Sequence, residues 1–191
     1  MRRKDLTSLP VLFLLSLTVT RAGIAQTAVR RLYVLEDIEH QQWCGFTRRS
    51  VWHTAVNKTS ALRVGTVTYV GDRISVIRVT EEGESGDWVV YDRYFFDRSG
   101  MLRTLTRTIN VLPGDRSVKQ VFAIHDGLAK QQSTTSLQLS TAQPVAPSED
   151  WFPDIPVITE VRAFPFAPLI GNRRFAVSSK GRMCVTVIRQ Q

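Results

Sequence analysis

From Ala61 to Leu139 apolar and polar residues alternate in short runs rich in Val, Ile, Thr, Tyr and Phe, without the 3.6-residue period of an amphipathic helix. A period of two sends successive side chains to opposite faces of a sheet, so such a span is committed to strands. Turn chemistry divides the runs. Gly71-Asp72 is a two-residue hairpin signal between residues 61–70 and 73–80, setting Val70 opposite Arg73, Tyr69 opposite Ile74 and Val67 opposite Val76. Arg98-Ser99-Gly100 joins 87–97 to 101–112 through a type I turn and a left-handed glycine, with Asp97 facing Met101. Pro113-Gly114-Asp115 and Asp126-Gly127 bound a strand from Val118 to His125, and Thr134 to Leu139 reads as a Thr/Ser-rich edge strand. The expected fold is all-β with little helix: an antiparallel meander over about 61–141 in a strongly curved sheet, half-barrel or sandwich-like.

Residues 142–156 carry Pro144, Pro147, Pro153 and Pro156, which cannot continue a central ladder and imply an extended crossing segment. The tail from 157 to 191 is too short for a second domain. Strands at 157–164 and 182–189 would complete the same sheet, so 26–191 reads as one domain. With 191 residues, 43% of them apolar, the chain is long enough for one core and excludes a coiled coil, a collagen or a wholly disordered protein. The segment 27–57 stays open: Leu32-Tyr33-Val34-Leu35 suggests a strand, and Glu36 to Gln42 a helical turn leading into Trp43-Cys44-Gly45-Phe46.

The first 25 residues have the form of a cleaved signal peptide. Arg2-Arg3-Lys4 precede an apolar run from Leu6 to Val19, and Gly23 and Ala25 stand at the minus-three and minus-one positions. A secreted or periplasmic protein is expected, with no transmembrane segment in the mature chain. Cys44 and Cys184, the only cysteines, should then meet an oxidising compartment and pair, tying the two ends of the domain together. Two cysteines exclude a multi-cysteine zinc ribbon. Loss of 1–25 lowers the formal charge from +8 to +5, with Lys58, Lys119, Lys130 and Lys180 the only lysines among 21 basic residues. Arginine suits planar anions and aromatic faces, which in an exported protein favours an anionic or lipid-like ligand or an envelope protein over nucleic acid. Asn57-Lys58-Thr59 is a glycosylation sequon.

Four constellations bear on chemistry. The expected register of the second hairpin sets Tyr91 opposite Arg107, Arg93 opposite Leu105 and Phe95 opposite Arg103, so that Tyr91, Arg93, Phe95, Arg103 and Arg107 interleave guanidinium and aromatic groups on one face. That face is the candidate ligand surface; cation-π pairs covering a solvated face are the plainer reading of the same residues. The other face carries Trp88, Val90, Tyr94 and Phe96 against Leu102, Thr104, Thr106 and Thr108, a core or a cavity wall. Glu81, Glu82, Glu84 and Asp87 crowd the turn around Gly83 and Gly86, which suits either calcium or solvent.

His40, His53 and His125 have no His-x-x-x-His or Glu-x-x-His spacing, and no nucleophile elbow, phosphate loop or dinucleotide fingerprint is present. No metal or cofactor is expected. The leading expectation is a non-enzymatic exported binding module. A metal-dependent or hydrolytic enzyme using His40, His53 or His125 with nearby carboxylates, and an assembly subunit lending an edge strand to an envelope complex, are the alternatives.

Overall fold

The computed structural model describes residues 28–146, 153, 155–170 and 181–186. The signal-peptide expectation for 1–25, most of the 147–154 crossing and the end of the strand expected to reach residue 189 lie outside these residues. Among the described residues nine strands are formed: β1 (Val29–Asp37), β2 (Gln42–Phe46), β3 (Arg63–Val70), β4 (Arg73–Glu82), β5 (Trp88–Phe96), β6 (Leu102–Val111), β7 (Arg116–His125), β8 (Leu128–Gln138) and β9 (Arg182–Thr186). One short helix, α1, spans Arg49–Val56. Every pairing is antiparallel, and the strands lie in the order β8-β7-β6-β5-β4-β3-β1-β2-β9.

The meander from β3 to β8 follows the alternation of the sequence. Asp126 and Gly127 both have positive φ, 50° and 74°, the conformation a two-residue hairpin turn needs and one that glycine adopts without Cβ strain. The polar β8 is an edge strand, as its Lys, Gln, Ser and Thr content demands. In the amino-terminal segment, Glu36 to Gln42 is not a helical turn. It finishes β1 and turns at 38–41 into β2, which pairs Leu35 with Cys44 and Glu36 with Trp43.

The expectation of a strongly curved, half-barrel or sandwich-like sheet is corrected: the sheet is a single open layer, neither closed nor strongly curled. It needs no second sheet because a strap covers one face. Residues 155–170, expected to contain a strand at 157–164, instead run over the sheet without joining it and form two single-turn 3-10 segments, Val161–Ala163 and Ala167–Leu169. Pro156 and Pro165 flank residues 157–164 and, having no N–H, would confine any ladder to the residues between them. The strap inserts Phe164, Phe166 and Leu169, each at most 2% exposed, among Val34, Trp43, Val67, Ile77, Tyr94 and Leu105 of the sheet. Burial of such side chains stabilises by about 1.5–3 kcal/mol each, which offsets part of the entropy lost in ordering the strap. Phe164 meets Tyr94 edge-on at 4.9 Å, and Phe166 lies 5.0 Å from Trp43.

On the other face α1 covers β1, β2 and β9. Val51, Trp52, Ala55 and Val56 pack on Leu35, Cys44 and Phe46, and Trp52 Nε1 donates to the Val34 carbonyl at 3.1 Å. Beneath this helix Cys44 and Cys184 are directly opposite each other in β2 and β9 and form the expected disulfide. Away from α1, over β4 to β8, the same face is uncovered by the described residues.

Candidate functional site

Each of three hairpins leaves one residue unpaired a few positions after its turn. Thr68 and Tyr69 pair with Val76 and Ile74, so Ser75 is extra; Phe95 and Phe96 pair with Thr104 and Leu102, so Arg103 is extra; Val121 and Phe122 pair with Ser133 and Gln131, so Gln132 is extra. The expected register is right beside the first two turns and wrong beyond the bulges. Val67 faces Ile77 rather than Val76, and Tyr91, Asp92 and Arg93 face Thr108, Arg107 and Thr106. A slip of one residue moves a side chain to the other face of the sheet.

The five candidate residues are therefore separated. Tyr91, Arg93 and Phe95 share the uncovered face with Thr104, Thr106 and Thr108. Arg103 spends its guanidinium on Asp97, at 2.7 Å, where it and Ser99 hold the carboxyl well below the usual range. Arg107 turns to the covered face, so the Tyr91–Arg107 pairing is corrected. The expected aromatic and threonine wall is corrected likewise: Val90 and Tyr94 share their face with Leu105, Arg107 and Ile109, and the threonines lie opposite.

Arg107 is 4% exposed and Asp92 7%. Its Nε and one terminal nitrogen each donate to a carboxylate oxygen of Asp92 at 2.8 Å, a bidentate fork, and the guanidinium also donates to the carbonyls of Ile155, at 2.5 Å, and Pro156. The Tyr94 hydroxyl donates to Asp92 at 3.0 Å. Burial, and then the Asp92 charge, push the Tyr94 phenol up, so it stays a donor. This network ties the strap to the centre of the sheet.

The uncovered face has a different character. Arg78 of β4 stands directly opposite Arg93 of β5, and the adjoining row runs Thr80, Tyr91, Thr108, Lys119. Like charges placed opposite one another are destabilising. Among the described residues Arg78, Arg93 and Lys119 have no ion pair or side-chain hydrogen bond. They border a shallow depression of about 290 Å³ floored by Thr80, Thr106 and Thr108, with the Tyr91 ring, 46% exposed, at its side. Sequence reasoning missed Arg78 and Lys119, though cross-strand alignment of β4 to β7 in the correct register exposes both.

The covered face holds a second cavity, of about 160 Å³, between the sheet and the strap. Arg63, held to Glu36 by two 2.6 Å bonds, lies on its wall, as do Glu81, Trp43, Tyr94, Phe164 and Phe166. Burial, followed by the charges of Glu36 and Asp92, raises the Glu81 carboxyl despite the opposing pull of Arg63.

The three histidines do not form a common centre. His40, in the β1–β2 turn, bonds through Nδ1 to Asp37 at 2.9 Å. His53 of α1 accepts from Arg49 Nε and lies 4.9 Å from the Trp52 ring in a tilted contact, and His125 is exposed at the end of β7. Burial favours the protonated Asp37 carboxyl, but bonds from His40 and Gln42 outweigh it and hold the group below its usual range. The same bond raises the His40 imidazole. The neighbouring sulfurs of Cys44 and Cys184 are oxidised to each other and offer no nucleophile. In the acidic turn, Glu81 lies on the covered face while Glu84 and Asp87 are exposed. No cluster of three or more His, Cys, Asp or Glu suited to a metal occurs among the described residues. Asn57 is exposed at the carboxyl end of α1. No helix among the described residues is long and apolar enough to cross a membrane. No protein-family model, no curated protein and no solved structure matches this chain.

Proposed function

We propose that the mature chain is an exported, non-enzymatic binding module whose uncovered sheet face takes a small anionic ligand bearing phosphate or carboxylate groups. The carrying observation is the cross-strand pair Arg78 and Arg93, joined by Lys119 around the threonine-floored depression, without a carboxylate partner among the described residues. Uncompensated cations on facing strands cost stability unless something is gained by them, and a bound anion supplies that gain. The threonine hydroxyls add neutral hydrogen bonds, and the Tyr91 ring gives a flat apolar wall. The Cys44–Cys184 disulfide supports maturation in an oxidising compartment, which agrees with a secreted or periplasmic location and the leader-like residues 1–25.

The test is titration of the isotopically labelled protein with inorganic phosphate and with glycerol phosphate, followed by amide shifts. Saturable shifts over β4 to β7, weakened about tenfold or more in Arg78→Ala/Arg93→Ala and reduced by added salt, are expected. Shifts confined elsewhere, or unchanged affinity in that variant, refute the site. A gain only with glycerol phosphate assigns the threonine floor to the organic part of the ligand.

A further inference from the structure

Antiparallel pairing sends alternate turns to opposite ends of the sheet, and the two ends differ. The β3–β4, β5–β6 and β7–β8 turns lie at one end together with the start of β1, because Val29 pairs with Val70 beside the first of these turns. From β8 across to β1 this end is a front about 30 Å wide, as seven strands about 4.8 Å apart require. Among the described residues it carries the exposed apolar side chains of Val29, Val70, Met101 and Leu128, the last 75% exposed. Each stands within three residues of a basic one, respectively Arg31, Arg73, Arg98 and Lys130.

These four cations are exposed and have no carboxylate partner among the described residues. Most of the acids here are already held: Asp72 by Arg30 at 3.0 Å, Asp97 by Arg103 at 2.7 Å, and Glu160, beside Gly127, by Arg162. Asp126 alone is left against the four. The opposite end is acidic, with Glu39, Glu82, Glu84, Asp87 and Asp115 in or beside its turns.

We propose that this basic front docks on an anionic membrane surface, its apolar tips entering among the headgroups while the arginines and the lysine lie at the charged layer. Other partners leave part of the front unused. Neither depression described above reaches this end, so a small ligand has nothing to enter. A protein partner needs a contiguous apolar centre, whereas Leu128, Met101 and the Val29–Val70 pair are separated by two or three strands, about 10–15 Å. A fluid bilayer accommodates that spacing. A nucleic acid or an acidic polysaccharide would engage the cations and gain nothing from Met101 and Leu128. The chain also enters the sheet here. The segment before Val29 contains the apolar run from Leu6 to Val19, so while that run is held in a membrane this front, not the acidic end, adjoins the lipid.

The experiment is co-sedimentation of the oxidised mature chain with vesicles of equimolar phosphatidylglycerol and phosphatidylcholine, against vesicles of phosphatidylcholine alone. Binding to the anionic vesicles, weakened by added salt and at least tenfold tighter than to the neutral ones, is expected. One basic residue at an anionic surface favours binding by about fivefold, so Arg98→Gln/Lys130→Gln should weaken it about 25-fold. Met101→Ser/Leu128→Ser should weaken it about tenfold or more. All four side chains are exposed, so both variants should keep the melting temperature within a few degrees. Leu112→Ser, at an exposed apolar residue of the acidic end, should bind as the parent does. Arg78→Ala/Arg93→Ala should also bind vesicles within about twofold of the parent, and excess glycerol phosphate should not compete, which separates this front from the anion face. No sedimentation with anionic vesicles, equal binding to both vesicle types, competition by glycerol phosphate, or a loss in Leu112→Ser matching the tip variants would overturn the proposal. Full binding in Met101→Ser/Leu128→Ser would overturn it too, and with Arg98→Gln/Lys130→Gln impaired would identify a polyanion recognised by charge alone.

Discussion

Replacing Arg107 by methionine tests whether the buried network is what fastens the strap. The substitution keeps most of the apolar stem and deletes two 2.8 Å bonds to Asp92 together with the donors to the Ile155 and Pro156 carbonyls. Asp92, 7% exposed, is then left with the Tyr94 hydroxyl as its remaining side-chain donor. Breaking a buried pair from one side costs about 3–5 kcal/mol, a large share of the roughly 5–15 kcal/mol that holds a domain of ordinary stability. With a urea slope of about 1–3 kcal/mol per molar, the unfolding midpoint at pH 7 should fall by about 1–5 M.

The cost lies in an unpaired charge rather than in a missing contact, which a second substitution can distinguish. Adding Asp92→Asn to Arg107→Met removes that charge while retaining an acceptor for Tyr94, and should restore more than half of the loss. A loss below about 1 kcal/mol, or a double variant no more stable than the single, would refute the account of the network.

Two other outcomes are expected. Cys44→Ala/Cys184→Ala removes a link across 140 residues, for which the chain-entropy relation gives about 5 kcal/mol, read as a lower urea midpoint against the oxidised protein; a change under about 1 kcal/mol would mean that packing under α1 already does the fastening. The His40 ring, raised by Asp37, should titrate above 6.5 by NMR and fall back toward that value in Asp37→Asn, its stabilising contribution being complete below the unfolded pKa and lost as pH rises through the folded one.

The strands of the meander were legible because half-buried sheet positions must alternate, and the disulfide because there were only two cysteines to pair. The faces beyond the first two bulges were misread. The information was present: Leu102 and Leu105 are both buried although they are three apart, and Ile74 and Ile77 both contribute to the core at the same spacing. An apolar pair three apart inside an alternating strand announces an inserted residue, here Arg103 and Ser75. Asp92, polar between Val90 and Tyr94 on a face otherwise apolar, likewise signalled a buried partner. The strap was harder to read. Its prolines flank residues 157–164 without excluding the strand expected there, and only the position of Arg107 in three dimensions shows which backbone carbonyls the segment brings to the sheet. For the same reason Arg78 was passed over, since a cation in β4 acquires meaning only beside Arg93 of the next strand.

The order of the strands also sets a timetable. Pairings from β3 to β8 join neighbours in sequence, so a chain emerging amino-terminus first can zip them as they appear, whereas β9 must travel back to β2 from the far end. Until then Cys44 has no partner and the outer edge of β2 stays unpaired. The cystine is thus a receipt for delivery of the chain through residue 184: a molecule interrupted before that point carries a thiol where one carrying β9 does not, and any machinery that senses thiols can tell the two apart.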